Sequence, residues 1–360
     1  MHVRKTLSAA AVGAALAVFG SAAQAQAQGL EVKISGQVNR ALMGVDDGID
    51  SEAFHVDNDN SSTRFRFVGS ADVAPGIRAG ILWEVEYQSN PSNLVTMATR
   101  DSPTSTSFDE RYIDLFFDSP WGKLSFGQGD GAANGGIEVD LSGTAVAHYA
   151  DVSASGGAIA FRTAAGGVGP TIAQTASQQD FESRYDRVRY ETPVFGGFVI
   201  SGSHGVKDSS RDVAEVALRY GGDFGRAGKL AGAIGQSDQE APLGGIDDKV
   251  IGGSVSWLHG SGFNVTVGSS EREIAPNRDG TFNYVKLGYK TGKHAFSADF
   301  ALAEDQAAAG DESEVVGFGY AYAPTGWADV YALVKRHSLD RVGASFEDIT
   351  VAMAGTRLKF

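Results

Sequence analysis

The ionisable and nucleophilic side chains of this chain are many, but few are spaced for bond-making chemistry. There is no Cys, which removes thiolate nucleophiles, Cys-ligated zinc, iron–sulfur clusters and disulfide scaffolds. Ser203 and His204 adjoin in sequence, yet neighbouring residues of a strand point to opposite faces and do not pair as nucleophile and base. His204 is expected at a rim near a loop, and His55, His148, His259, His294 and His337 are scattered. Gly127-Gln128-Gly129-Asp130-Gly131-Ala132 fits a loose dinucleotide-binding pattern, but no helical pattern follows it and no βαβ unit surrounds it. There is no G-x-S-x-G elbow, no Walker A loop and no His-Glu-x-x-His pair. The expectation is therefore no catalytic residue, no cofactor and no enzyme.

The charged residues are better suited to shaping a field than to catalysis. From about 129 to 183 the chain has few clean strand patterns, and a connection that long is usually functional or disordered. It carries Asp130, Glu138, Asp140, Asp151, Asp180 and Glu182, with Arg162 its single Lys or Arg. A second acidic stretch holds Asp46, Asp47, Asp50, Glu52, Asp57 and Asp59 and no Lys or Arg. Clustered carboxylates are hard-oxygen ligands, which makes Asp57 and Asp59 weak candidates for a divalent cation. The spacing is not that of an EF-hand, and a solvated loop face is the usual reading, so no metal is expected. With 44 acidic against 30 basic residues and a formal charge of −14, the chain lacks the basic footprint of a nucleic-acid binder.

The elements that position these residues are strands. Of 360 residues 47 are Gly, about twice the usual share, and the composition suits an all-β protein. Residues 1–27 stand apart. Arg4 and Lys5 precede an apolar run from Leu7 to Phe19, followed by Ala23-Gln24-Ala25 and Ala25-Gln26-Ala27. That is a signal peptide pattern with cleavage after Ala25 or Ala27, leaving 28–360 as one exported domain. No later stretch approaches eighteen uncharged apolar residues, so no transmembrane helix is expected.

Alternation with period two replaces it. Phe65 and Phe67 share one face, Arg64 and Arg66 the other; Ile81, Trp83, Val85 and Tyr87 alternate with Glu84 and Glu86; Val188 and Tyr190 alternate with Arg187 and Arg189. Sixteen candidate strands follow, near 31–43, 63–73, 77–89, 110–118, 122–128, 184–191, 197–205, 212–221, 228–237, 248–258, 262–270, 281–290, 293–303, 313–323, 328–336 and 348–360. Every second gap is tight, such as Ala74-Pro75-Gly76 and Thr291-Gly292, while the others, such as 44–62 and 90–109, are longer and polar. Short turns alternating with longer loops suit an antiparallel membrane barrel with both termini at one end. Closure also removes the edges that an open sheet of this size must protect. The last strand ends on Phe360, an aromatic placed for the periplasmic girdle of such a barrel.

Several segments carry a family resemblance. Val32-Lys33-Ile34-Ser35-Gly36-Gln37-Val38, Asn60-Ser61-Ser62-Thr63-Arg64-Phe65-Arg66-Phe67-Val68-Gly69, Pro120-Trp121-Gly122-Lys123-Leu124-Ser125-Phe126-Gly127-Gln128, the run from Arg184 to Phe198 and Gly355-Thr356-Arg357-Leu358-Lys359-Phe360 resemble, in order and spacing, the Gram-negative general porins. The resemblance spans nearly the whole mature chain. It implies a sixteen-stranded transmembrane antiparallel β-barrel of the bacterial outer membrane, usually a homotrimer, in contact with outer-membrane lipid and lipopolysaccharide. It also implies passive diffusion of ions and small hydrophilic solutes, with a third loop at about 129–183 folded into the pore, and Phe360 as the C-terminal assembly signal. On that reading Lys33, Arg64, Arg66, Arg187 and Arg189 are the basic constriction wall, Asp130, Glu138, Asp140 and Asp151 the acidic loop, and Glu84 and Glu86 further lumen-facing groups. Acids on a loop facing bases on a wall set a transverse field across a narrow aqueous gap. Arg111 is expected to turn outward, from the parity of Asp114 against Ile113, Leu115 and Phe117. Net acidity suggests a weak cation preference. The alternative is a non-conducting surface barrel, an adhesin or structural protein, and less so a barrel hydrolase.

Overall fold

The computed structural model describes residues 29–101, 108–207, 211–241, 247–276 and 278–360; the expected signal peptide lies outside them. Its strands are β1 (Glu31–Asp46), β2 (Ser51–Asp57), β3 (Arg64–Ala74), β4 (Ile77–Glu86), β5 (Asp109–Ser119), β6 (Gly122–Asp130), β7 (Ala160–Arg162), β8 (Val168–Thr171), β9 (Arg184–Glu191) and β10 (Phe198–Lys207). They continue with β11 (Arg211–Asp223), β12 (Lys229–Gln239), β13 (Asp248–Leu258), β14 (Phe263–Ala275), β15 (Arg278–Thr291), β16 (His294–Glu304), β17 (Glu312–Thr325), β18 (Ala328–Arg341), β19 (Ala344–Ser345) and β20 (Ile349–Lys359). All but β7 and β8 belong to one antiparallel sheet. β2 and β3 continue each other along one side of β1, and β19 and β20 along β18. The wall therefore has sixteen staves.

The barrel closes where β1 meets β20, in register from Gln37↔Lys359 to Asp46↔Thr350. Gly36 and Phe360 extend that ladder, each amide donating to the other's carbonyl at 3.0 Å. A Cβ on Gly36 would stand 2.5 Å from Cζ of Phe360, so the missing side chain is what lets the terminal ring lie over the seam. In the two-residue turn from Thr291 to His294, Gly292 takes φ 56°, a backbone that other residues adopt only with strain.

Alternation sorts the wall into two faces. Val32, Ile34, Val38 and Leu42 on β1, Ile81 and Trp83 on β4, and Val285, Leu287 and Tyr289 on β15 point outward and stay exposed. A belt of that extent suits a bilayer, where lipid covers it. The inward residues are polar or lie beneath residues 131–183, here called the inner loop. Ile159, Phe161 and Ile172 of this loop pack on Met43, Val45, Ile349, Val351 and Met353 of the wall. Ala133, Ile137 and Phe181 pack on Phe282, Tyr284 and Val315. The apolar core thus lies between loop and wall, off the barrel axis. Besides β7 and β8, the loop holds a short helix, α1 (Ile172–Thr175), with a capping box between Thr171 and Gln174.

The acidic stretch from Asp46 to Asp59 is more ordered than the expected polar loop. β2 pairs with β1 from Arg40↔Asp57 to Asp46↔Ser51. Asp47 caps the turn between them, accepting from the amides of Ile49 and Asp50 at 3.0 and 2.8 Å.

Candidate functional site

The inner loop is bonded to inward-facing wall residues along most of its length. It starts at Arg187 of β9, whose guanidinium meets both Asp114 oxygens at 2.7 and 2.9 Å and donates to the carbonyls of Asp130 and Gly127 at 2.9 and 3.1 Å. The chain then passes β10 and β11, where Ala132 N donates to Ser203 Oγ at 2.8 Å and Ala133 N to Glu215 at 2.9 Å. At β13, Val139 N and Leu141 N donate to Ser254 and Ser256 at 3.0 and 2.9 Å. At β15 and β18, Lys286 Nζ donates to Asp140 Oδ2 at 2.7 Å and Lys335 Nζ to the Val152 carbonyl at 3.1 Å. Beyond them Asn58 Nδ2 donates to the Val146 carbonyl at 2.8 Å and Ser92 Oγ to that of Ala154 at 2.6 Å. The return leg crosses β14 and β15, through Ser270 to the Gln178 carbonyl at 2.7 Å and Gln179 to that of Gly280 at 3.0 Å. The loop thus follows the inner wall around much of its circumference.

Acids gather on the loop. Asp180 accepts from Gly135 N and Ile137 N at 2.5 and 2.9 Å, and Glu138 accepts from Gln178 at 2.6 Å. Asp151 accepts from Ser153 N at 3.0 Å. Crowding by protein atoms pushes the Asp180 carboxyl up to about 6, against the pull of the two amides. Burial first, and then the charges of Asp180 and Asp151, hold the Glu138 carboxyl well above the ordinary carboxylate range. Mutual repulsion of this kind is expected where carboxylates share one confined space.

Arginines gather on the wall. Glu84, buried at 1% side-chain exposure, lies 2.5 Å from Arg66, 2.7 Å from Arg111 and 3.7 Å from Arg64. Arg111 also reaches Glu86 at 2.7 Å. Three guanidinium groups thus share two carboxylates. Arg66 keeps 41% of its side chain exposed and lies over the Tyr112 ring, 5.8 Å from its centroid. Arg189 donates to the Gly131 carbonyl at 2.8 Å and pairs with Glu191 at 2.8 Å.

The inward turn of Arg111 corrects the expected outward one. The β4–β5 register slips between Glu84↔Tyr112 and Val85↔Glu110, and this bulge lets Arg111 and Tyr112 both face the lumen. Period-two counting from Asp114 fails at an inserted residue. Glu84 and Glu86 do face inward. Lys33 keeps inward parity but sits below the Gln37–Arg64 pair, toward the periplasmic end. Asp130 lies at the loop root, accepting from Tyr112 at 2.6 Å with Arg184 at 3.8 Å. Asp140, 5% exposed, meets Lys286 on the wall side of the loop. Asp57 accepts from Thr63 N at 3.0 Å and Asp59 from Gln88 at 2.9 Å. Among the described residues no group of three His, Cys, Asp or Glu converges as a metal site. His204 points outward on β10, opposite in parity to Ser203.

Further basic residues among those described line or brace the lumen. Arg219 donates to the Ala132 and Asn134 carbonyls at 3.2 and 2.6 Å, and Arg357 pairs with Asp329 at 2.7 Å while donating to Ser61 at 2.8 Å. Lys286 and Lys335 do so from beneath the loop. Their strand parity was legible; that a loop would lie against them was not.

The chain's likenesses agree with this architecture. Residues 9–341 match the family model described as Gram-negative porin. No curated protein matches the chain. An anion-selective porin from Comamonas acidovorans shares the fold with a TM-score of 0.67 and 18% identity, over 92% of this chain and 100% of that one. A trimer form of OmpT, an outer membrane protein of Vibrio cholerae, gives 0.58 and 16%, over 92% and 100%. A triple mutant of Rhodopseudomonas blastica porin gives 0.55 and 16%, over the same shares of the two chains. Wall, inner loop and family match lead to one conclusion: this chain belongs to the Gram-negative porin family and is a passive diffusion channel of the bacterial outer membrane.

Proposed function

We propose that the inner loop is the constriction, and that solutes small enough to clear it pass between its acids and the arginines of β3, β5 and β9. The observation that carries this is the inner loop's run of hydrogen bonds to inward-facing wall residues, with Arg66 on the wall and Glu138, Asp151 and Asp180 on the loop left partly exposed. Charge on both sides sets a field across the gap. We assign the channel an anion preference that grows as pH falls through about 6. Arg66 is open to the lumen, whereas Asp180 and Glu138 hold protons more readily than ordinary carboxylates. This departs from the weak cation preference suggested by net acidity, because selectivity is set at the narrowest point and not by the sum over all loops. The anion selectivity named for the Comamonas acidovorans porin is in keeping with it.

The functional unit is a homotrimer set in outer-membrane lipid and lipopolysaccharide, formed after the signal peptide is cut behind Ala25 or Ala27. A trimer form is recorded for the Vibrio cholerae relative. Catalysis has little support. Ser297, His148 and Asp299 adjoin as a nucleophile, base and acid would, but Ser297 is 8% exposed and His148 fully buried, leaving no cleft for a substrate. A plugged, non-conducting surface barrel would be expected to bury its inward charges as well as pair them, and Arg66, though paired with Glu84, keeps 41% of its side chain exposed. Swelling of liposomes loaded with the purified protein tests the proposal. Rates should fall steeply from monosaccharides to trisaccharides, and liposomes that take up neither overturn it.

A further inference from the structure

Behind the inner loop lies a buried polar layer. Its centre is His148, fully buried against β16. The ring's Nε2 is 2.8 Å from Ser297 Oγ, and its Nδ1 lies 2.9 Å from Asp299 Oδ2, which also accepts from the Tyr284 hydroxyl at 2.9 Å. Ser297 Oγ is 2.8 Å from Thr144 Oγ1, and that oxygen is 2.9 Å from Ser142 Oγ. A ring nitrogen beside a carboxylate carries the proton, so Nε2 of the neutral ring is the acceptor for the Ser297 hydroxyl. The row of hydroxyls from Ser142 through Thr144 to Ser297 then runs in one direction into the imidazole.

The berth for the ring is cut into the wall. A Cβ on Gly319 of β17 would stand 2.1 Å from His148 Nε2, and one on Gly317 would stand 2.0 Å from Asp299 Oδ1. Only a wall stripped of side chains at both positions admits the imidazole. On either side of it, Lys286 holds Asp140 and the His148 carbonyl, at 2.7 and 2.8 Å, and Lys335 holds the Val152 carbonyl.

The charges facing His148 come from every element packed on it. They are Asp299 from β16, Lys286 from β15 beside the Tyr284 hydroxyl, Lys335 from β18, and Asp140 and Asp151 from the loop. His337 of β18 is also fully buried, and its ring nitrogens have no partner among the described residues. The two buried lysines are matched by the two carboxylates whose side chains are buried with them, Asp140 and Asp299, while Asp151 is only half-buried; the buried groups are therefore neutral in sum while both imidazoles are neutral. A proton on His148 adds an uncompensated buried charge and turns Nε2 from acceptor to donor, against the run of the hydroxyls.

We propose that His148 is an imidazole key: neutral, it locks residues 140–152 of the inner loop to the wall and keeps the lumen open; protonated, it frees that segment to swing across the lumen. Burial and Lys286 hold its proton affinity below that of an ordinary imidazole, which places the transition on the acid side. The proposal rests on the channel reading and adds to it a device that changes open probability.

Two variants test it. Single-channel recordings of the wild type from neutral to acid pH should show the open fraction falling at least several-fold. His148→Gln should close often at neutral pH and show no further acid step; a variant that follows the wild type at every pH overturns the key. The second is Thr144→Cys with Ser297→Cys, whose hydroxyl oxygens stand 2.8 Å apart in a chain with no other Cys. Oxidised, it should lose the acid closure and regain it on reduction. Failure to cross-link, or closure of the oxidised form, overturns the proposal. Amide exchange of residues 140–152 gives a readout that needs no current: it should rise in acid in the free chain and not in the cross-linked one. Loss of conduction at every pH, with that exchange behaviour intact, contradicts the channel reading and leaves the key standing.

Discussion

Arg187 and Asp114 form a two-pronged ion pair across the wall, with nitrogen–oxygen distances of 2.7 and 2.9 Å and both side chains under 10% exposed. The same guanidinium holds the carbonyls of Gly127 and Asp130, where β6 gives way to the inner loop. Arg187 was expected to work as a lumen cation. Its place instead gives it the loop root to hold, because the charge is spent on Asp114 and on backbone.

Arg187→Met should therefore act on stability more than on selectivity. Breaking one side of a buried pair typically costs about 3–5 kcal/mol. Lys is no remedy, since it cannot span both carboxylate oxygens. The temperature at which the folded band on an unboiled gel gives way to the unfolded one should fall clearly in Arg187→Met and Arg187→Lys. The reversal potential of whatever folds should stay near that of the wild type.

Arg66→Gln should do the opposite. Its side chain is 41% exposed and makes one ion pair, with Glu84. Removing a unit charge about 8 Å from a passing ion in water changes its energy by roughly 0.5 kcal/mol, about a twofold change in a permeability ratio. Reversal potentials in a potassium chloride gradient should move toward potassium, with the melting behaviour little altered. Arg111→Gln should move them the same way and also loosen Glu84 and Glu86, which it bridges.

Selectivity should depend on pH in one direction. Burial pushes the Asp180 carboxyl up to about 6 and holds that of Glu138 well above the usual carboxylate range. As pH falls through that region both gain protons, the loop loses negative charge and chloride is favoured; as pH rises they ionise and potassium gains. Reversal potentials at about pH 5 and about pH 8 should differ with that sign. In Asp180→Asn with Glu138→Gln the difference should shrink, and one of unchanged size would remove these carboxylates from the account.

Gly319→Ala places a methyl where His148 Nε2 sits, 2.1 Å away. Overpacking of this kind usually costs about 1–3 kcal/mol. Since the strand keeps its ladder, the loop must yield before the barrel does. The variant should fold, melt somewhat lower and give noisier current at neutral pH.

The strands were legible because they alternate polar and apolar residues, with Gly- or Pro-marked turns between many of them. The expected 184–191 and 248–258 coincide with β9 and β13. In sequence β2 reads as loop, because Ser51-Glu52-Ala53-Phe54-His55-Val56-Asp57 sits in an acidic run and gains its pairing only from the far half of β1. The inward turn of Arg111 is hidden for a similar reason: a bulge is a relation between two strands, and one strand's alternation does not record it. The inner loop was legible as an anomaly of length and charge. Which of its acids face water and which face a lysine was not, since Asp140 and Asp151 look alike in sequence and only the packing of the loop on Lys286 separates them.

The measurement that bears most directly on the central claim is the single-channel current of purified, detergent-folded protein across a planar bilayer in a salt gradient. The account predicts stable steps that arrive in threes, with a conductance well below that of an unobstructed sixteen-stranded lumen and a reversal potential on the chloride side at neutral pH. A folded, heat-modifiable barrel that passes no current would contradict it.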